Sequence, residues 1–124
     1  MKKDIKAVIT DIDETLFSHT LKQIPESAVK AVHALQKRGI KVFLCSGRNE
    51  YLIRKLGVLE HITPDGLITM NGANAIIDGK IIYRYPIPES EVDALIKFSK
   101  RLKFGLTLIE ENEGQATSVL QLYE

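Results

Sequence analysis

Apolar positions along this chain follow two rhythms. Short unbroken runs, IKAVIT (5–10), IKVFLCSG (40–47) and DGLITMNGA (65–73), have the length and β-branched content of strands. The first of them reads as a strand buried on both faces. Between the runs lie segments with helical spacing. PESAVKAVHALQKRG (25–39) places Ala28, Val32 and Leu35 on one stripe, with Glu26 at its start, Lys37 and Arg38 at its end, and Gly39 where a helix would terminate. NEYLIRKLGV (49–58) predicts a shorter helix stopped by Gly57. Strand, helix, strand, helix, strand with connections of this length predicts parallel strands joined by crossovers.

The rhythm then changes. AIIDGKIIY (75–83) sets two short apolar runs around an Asp-Gly pair, a hairpin signal. PIPE (86–89) reads as a proline-rich hinge flanked by Tyr83 and Tyr85. Beyond it, ESEVDALIKFSKRLK (89–103) predicts an amphipathic helix with Val92, Leu95 and Ile96 on one face. FGLTLIE (104–110) reads as a strand, ENEG (111–114) as a turn, and QATSVLQLYE (115–124) as a last strand or the start of a helix. The expected fold class is α/β, with a Rossmann-like parallel sheet over residues 1–82 and a smaller second segment over 83–124.

Composition narrows the function classes. A chain of 124 residues suits one compact domain with a small appendage. Seventeen basic and sixteen acidic residues, interleaved, give a net charge of +1 and no electrostatic case for nucleic acid or an anionic membrane. The single cysteine, Cys45, has no internal disulfide partner, which fits a reducing cytosol. No segment approaches transmembrane length, and Asp11 interrupts the apolar run of the basic start before it resembles a signal peptide. A soluble cytoplasmic protein is expected. His19, His33 and His61 are too scattered to predict a metal set.

Candidate chemistry sits where the predicted strands end. In an open parallel sheet, ligands gather outside the carboxyl ends of the strands. Here those ends are DIDET, SGR and NGA. Asp11 and Asp13 lie two apart, so in extended chain both carboxylates point the same way. Such a pair suits a Mg²⁺ site, a nucleophile with a general acid, or both, and Thr15 adds a hydroxyl. A solvated turn built on aspartates is the plainer alternative. Ser46, Gly47 and Arg48 offer a hydroxyl, an unobstructed N–H and a guanidinium, the groups a phosphate needs. A strand-to-helix turn capped by Ser46 would also account for them. Asn71 and Gly72 are compatible with an ordinary tight turn.

DIDETL, CSGR and NGA, in this order and spacing, resemble the haloacid dehalogenase-like (HAD) phosphohydrolases, most closely the Cof-type branch. The resemblance runs the length of the chain. It implies a Rossmann-like core with an α/β cap inserted after the third core strand, so that 83–124 would be the beginning of a cap. It implies Mg²⁺-dependent hydrolysis of a small phosphorylated metabolite through an aspartyl-phosphate. Asp11 would be the nucleophile and Asp13 the general acid/base, with both at the metal, Asp13 through its backbone carbonyl. Ser46 would steady the phosphoryl group, Gly47 and Arg48 would support that loop, and Asn71 would lie at the cap-facing edge, with Thr15 beside them.

Two departures stand out. Glu14 occupies a position where this branch usually has glycine. The pattern's later lysine and its acidic Mg²⁺-binding loop have no counterpart before Glu124. Weak or incomplete activity is therefore expected, with a non-catalytic remnant that binds phosphate or a partner protein as the alternative. A first strand lacking its second neighbour would be an open edge, so self-association through it is also expected. A receiver domain would need its phosphorylated aspartate at the third strand, where Asn71 stands.

Overall fold

A computed structural model of the protein describes residues 4–111 and the backbone of a strand at 116–118. The chain forms two compact units, dividing between Arg84 and Tyr85.

The first unit is built on a five-stranded sheet in the order β1 (Ala7–Asp11), β2 (Lys41–Cys45), β3 (Gly66–Thr69), β4 (Asn74–Ile77), β5 (Lys80–Arg84). The first three strands are parallel, and β4 and β5 return antiparallel. Helix α1 (Glu26–Lys37) links β1 to β2, and the six-residue α2 (Glu50–Lys55) lies between β2 and β3. Alternation along β2 explains how one face is covered. Val42 and Leu44 are fully buried in a cluster with Val32 of α1 and Ile53 of α2, while Phe43 between them points to the opposite face. Burying an aliphatic side chain of this size is worth about 1.5–3 kcal/mol, so this cluster is what seats the helices. The β4–β5 hairpin turns at Asp78 and Gly79, both at positive φ (50° and 71°), as a two-residue Asp-Gly turn requires.

One expectation changes and two hold. The IKAVIT run forms a strand at the expected open edge, with β2 its one described neighbour, but it is not buried on both faces, and Ile9 is 60% exposed. Together with Phe43, Ile68, Ile77 and Ile82, Ile9 lines an apolar hollow of about 200 Å³ on the face opposite the helices. The second helix is short and stops before Gly57 as expected, with Gly57 at φ 81° and Val58–Glu60 forming a separate 3₁₀ turn. The third strand ends in a turn as expected, stopping at Thr69, where Met70 and Asn71 adopt left-handed φ values of 53° and 55°.

The second unit contains α3 (Glu89–Leu102) and an antiparallel pair, β6 (Thr107–Ile109) with β7 (Ala116–Ser118). The strand alternative therefore applies at 116–118. Residues 112–115 and 119–124, with most of the expected ENEG turn and the rest of QATSVLQLYE, lie outside the described residues.

Asp65 staples the start of β3 to its neighbours. Its carboxylate accepts from the Val42 N–H (2.9 Å), Lys41 Nζ (2.9 Å) and Gln36 Nε2 (3.2 Å). The Val42 N–H foremost, then Lys41, hold its carboxyl below the usual range. A depressed carboxylate stabilises the fold above its unfolded pKa, and that contribution disappears as pH falls through the folded value. Asp65→Ala should cost about 1–2 kcal/mol by urea denaturation at neutral pH. The gap from the unsubstituted chain should close in acid. A gap that is independent of pH would contradict the assignment.

Candidate active site

The parallel register decides what meets at the rim of the sheet. Asp11 stands opposite Cys45, and Cys45 opposite Ile68, so the loops after β1, β2 and β3 leave the sheet side by side. Asp11 is exposed at the end of β1, Ile12 after it is fully buried, and the chain turns at once. The Ile12 carbonyl accepts from the N–H groups of Thr15, Leu16 and Phe17 at 3.2, 3.0 and 2.8 Å, folding DETLF into a tight loop around it.

The second loop reaches across to the first. Arg48 donates from Nη2 to Asp13 Oδ1 (2.8 Å) and from Nε to Oδ2 (3.0 Å), with a longer Nε contact to Oδ1 (3.3 Å). His19 Nε2 lies 2.6 Å from the same Oδ1. Arg48 foremost, then His19, outweigh the cost of partial burial and bring the Asp13 carboxyl down to about 2. Asp13 is thus a carboxylate at neutral pH, able to accept a proton.

The third loop is laced to the second. The Ser46 N–H donates to the Ile68 carbonyl (2.9 Å), Met70 N–H to the Arg48 carbonyl (3.0 Å), and Asn71 N–H to the Ser46 carbonyl (3.1 Å). The left-handed turn at Met70 and Asn71 makes the last two possible. A side chain at Gly47 would bring its Cβ to 3.1 Å from Asn71 Oδ1, so glycine there lets the two loops close. Ser46 is buried, and its hydroxyl accepts from the Arg48 N–H (3.1 Å).

The contacts joining the three loops therefore run through Asp13, Ser46, Arg48 and residues 70–71. Asp11 and Thr15 stand exposed on the same rim. Ser46 is not the cap of α2. Buried Asn49 takes that place, accepting from Leu52 N–H at 2.9 Å, and Asn before an acidic first turn was the legible signal. Sequence patterns give no sign that His19 meets Asp13, because a six-residue return loop has no period to read.

Among the described residues, no group of three or more His, Cys, Asp or Glu side chains could hold a metal ion. Mg²⁺ nevertheless accepts one or two oxygen donors and completes its shell with water and substrate phosphate. The exposed Asp11 carboxylate fits that role, and the Asp13 main-chain carbonyl is the second donor implied by the motif. The Asp13 carboxylate is engaged by Arg48 and His19.

A profile of the haloacid dehalogenase-like hydrolases matches residues 8–119, and the chain belongs to that family. It is 34% identical over 114 residues to the protein named "Putative phosphatase YkrA" in Bacillus subtilis strain 168, covering 92% of this chain and 43% of that one. Among solved structures, it is 34% identical to the HAD subclass IIB sugar phosphatase BT4131, with a TM-score of 0.69 over 87% of this chain and 42% of that one. It also resembles the HAD-superfamily phosphatase BT1666 of Bacteroides thetaiotaomicron, with a TM-score of 0.78, 26% identity, and coverage of 86% of this chain and 39% of that one. The chain thus spans less than half the length of these relatives.

Arg48→Ala should return the Asp13 carboxyl from about 2 toward its ordinary 3.8, measured by ¹³C NMR titration of the side-chain carboxyl. An unmoved value would show that Arg48 is not what depresses it.

Proposed function

We propose that this rim serves a Mg²⁺-dependent phosphatase of the HAD type, acting on a small phosphorylated metabolite through an aspartyl-phosphate at Asp11. The observation that carries this reading is the exposed Asp11 carboxylate at the end of β1, set beside a loop in which Ser46 is buried and Arg48 grips Asp13. An Asp11 oxygen attacks phosphorus as the bond to the leaving oxygen breaks, and Asp13 moves the proton. Water then displaces phosphate from Asp11, giving its proton to the Asp13 carboxylate. Mg²⁺, when bound, neutralises charge between Asp11 and the phosphate. Ser46 and Asn71 orient the phosphoryl group, with Thr15, Gly47 and Arg48 shaping the loops around it.

Asp13, ionised at neutral pH, is open to the proton of the water step, and its contact with Arg48 makes it a weak base there. For leaving-group protonation it must first gain a proton, which its contact with Arg48 opposes. A further positive charge, the lysine that the family resemblance places after the cap, would favour approach of the phosphate to Asp11. Residues 83–124 are read as the beginning of an α/β cap, consistent with a helix followed by an antiparallel strand pair. The relative named as a sugar phosphatase makes sugar phosphates the first compounds to screen.

No helix among the described residues is long and apolar enough to cross a membrane. The free thiol of Cys45 favours a cytoplasmic setting. The open β1 edge and the apolar hollow beside Ile9 favour self-association.

The purified chain should hydrolyse an aryl phosphate with Mg²⁺, and Asp11→Asn should reduce the rate to background. Equal rates for the two proteins would leave phosphate or partner-protein binding as the role of the rim. Sedimentation velocity should show a dimer or larger species that Ile9→Lys shifts to monomer. A monomer whose β1 amides resist hydrogen exchange would contradict the edge pairing.

A further inference from the structure

Asp13 sits between two side chains, only one of which comes from the SGR loop. Its Oδ1 receives Arg48 Nη2 at 2.8 Å and lies 2.6 Å from His19 Nε2, while its Oδ2 receives Arg48 Nε at 3.0 Å. A carboxylate oxygen has about two lone-pair sites, so Oδ1 is filled and Oδ2 keeps room for one more partner.

His19 is itself held. Its main-chain N–H donates to Glu14 Oε1 at 3.0 Å, and its ring meets Phe17 edge-on with centroids 5.1 Å apart. Phe17 is buried, which anchors this end of the loop to the core. Glu14 has φ 58°, a left-handed conformation costing about 1 kcal/mol for a side-chain-bearing residue. Glycine would adopt that backbone without the cost, but it could not accept the His19 N–H. The side chain at 14 therefore has a local task, closing the loop from its own start to His19.

We propose that Glu14 and His19 form a positioning clasp for Asp13: His19 and Arg48 fix Oδ1 from two sides, leaving Oδ2 as the oxygen that exchanges the proton. This rests on the reading of Asp13 as the proton-transfer group. In the forward step the proton on Oδ2 goes to the leaving oxygen as its bond to phosphorus breaks. In the second step Oδ2 takes a proton from the attacking water. His19 is a positioning residue and touches neither substrate nor phosphorus.

The test uses the 124-residue chain with His19→Ala, His19→Gln and Glu14→Gly, and two readouts. The first compares phenyl phosphate, whose leaving group needs a proton, with 2,4-dinitrophenyl phosphate, whose leaving group does not. His19→Ala should slow the pre-steady-state release of phenol, which reads the first step alone, by about tenfold, and leave the release of dinitrophenol within about threefold. His19→Gln, which still offers a donor, should recover most of the loss, and Glu14→Gly should fall between. Equal losses of that first-step rate on both esters, or none on either, would overturn the proposal.

The second readout needs no turnover. The Arg48 Nε–H and Asp13 carboxyl NMR signals should shift and broaden in His19→Ala and recover in His19→Gln. Unchanged signals would overturn the clasp whatever the rates. Shifted signals in a chain without turnover would uphold the clasp and count against the catalytic reading instead.

Discussion

The ion pair between Asp13 and Arg48 is the contact on which the rim depends. It joins residues 35 positions apart, from loops that leave neighbouring parallel strands, and it does so with two donors in a fixed planar fork. Backbone hydrogen bonds lace the third loop to the second through Ser46, Arg48, Met70 and Asn71. The pair adds the first loop to that assembly. Without it, the DIDET loop would keep its buried anchors, Ile12 and Phe17, and its internal hydrogen bonds, but would lose its tie to the second loop.

The same pair sets a chemical condition. A guanidinium against a carboxylate stabilises the charged form, so Asp13 holds its charge well into acid. That state is open to a proton, but a carboxylate held at about 2 is a weak base and retains a proton poorly. In the reaction we propose, Arg48 and His19 therefore hold Asp13 in its charged form, which opposes the protonation that the leaving group needs. An incoming phosphate, itself an anion, would compete for Arg48 and relieve that hold.

Much of this was legible in the sequence because it rests on local rules. The 3.6-residue stripe of Ala28, Val32 and Leu35 gave α1, and the Asp-Gly pair gave the β4–β5 turn. The polar ends of three apolar runs gave the rim, since parallel strands with short crossovers leave little freedom in where their ends fall. Three features were hidden, each for a physical reason. Ile9 belongs to a run that reads as buried; the edge position of its strand was expected, but its own exposure depends on what covers that face of the sheet, which periodicity does not encode. The left-handed turn has local support at Asn71, but at Met70 it is held by the hydrogen bonds to Arg48 and Ser46 and has no local signal. His19 meets Asp13 because a non-repeating loop doubles back, and Glu14, the residue that departs from the usual glycine, is what fastens that return.

The central claim is that the loops after β1, β2 and β3 form one phosphate-handling site. The most direct measurement is an amide NMR map of the chain titrated with Mg²⁺ and beryllofluoride, a mimic of the phosphoryl group on an aspartate. Shifts confined to residues 11–19, 46–48 and 69–72, and lost in Asp11→Asn, are predicted. Shifts elsewhere, or a map that Asp11→Asn leaves unaltered, would contradict it.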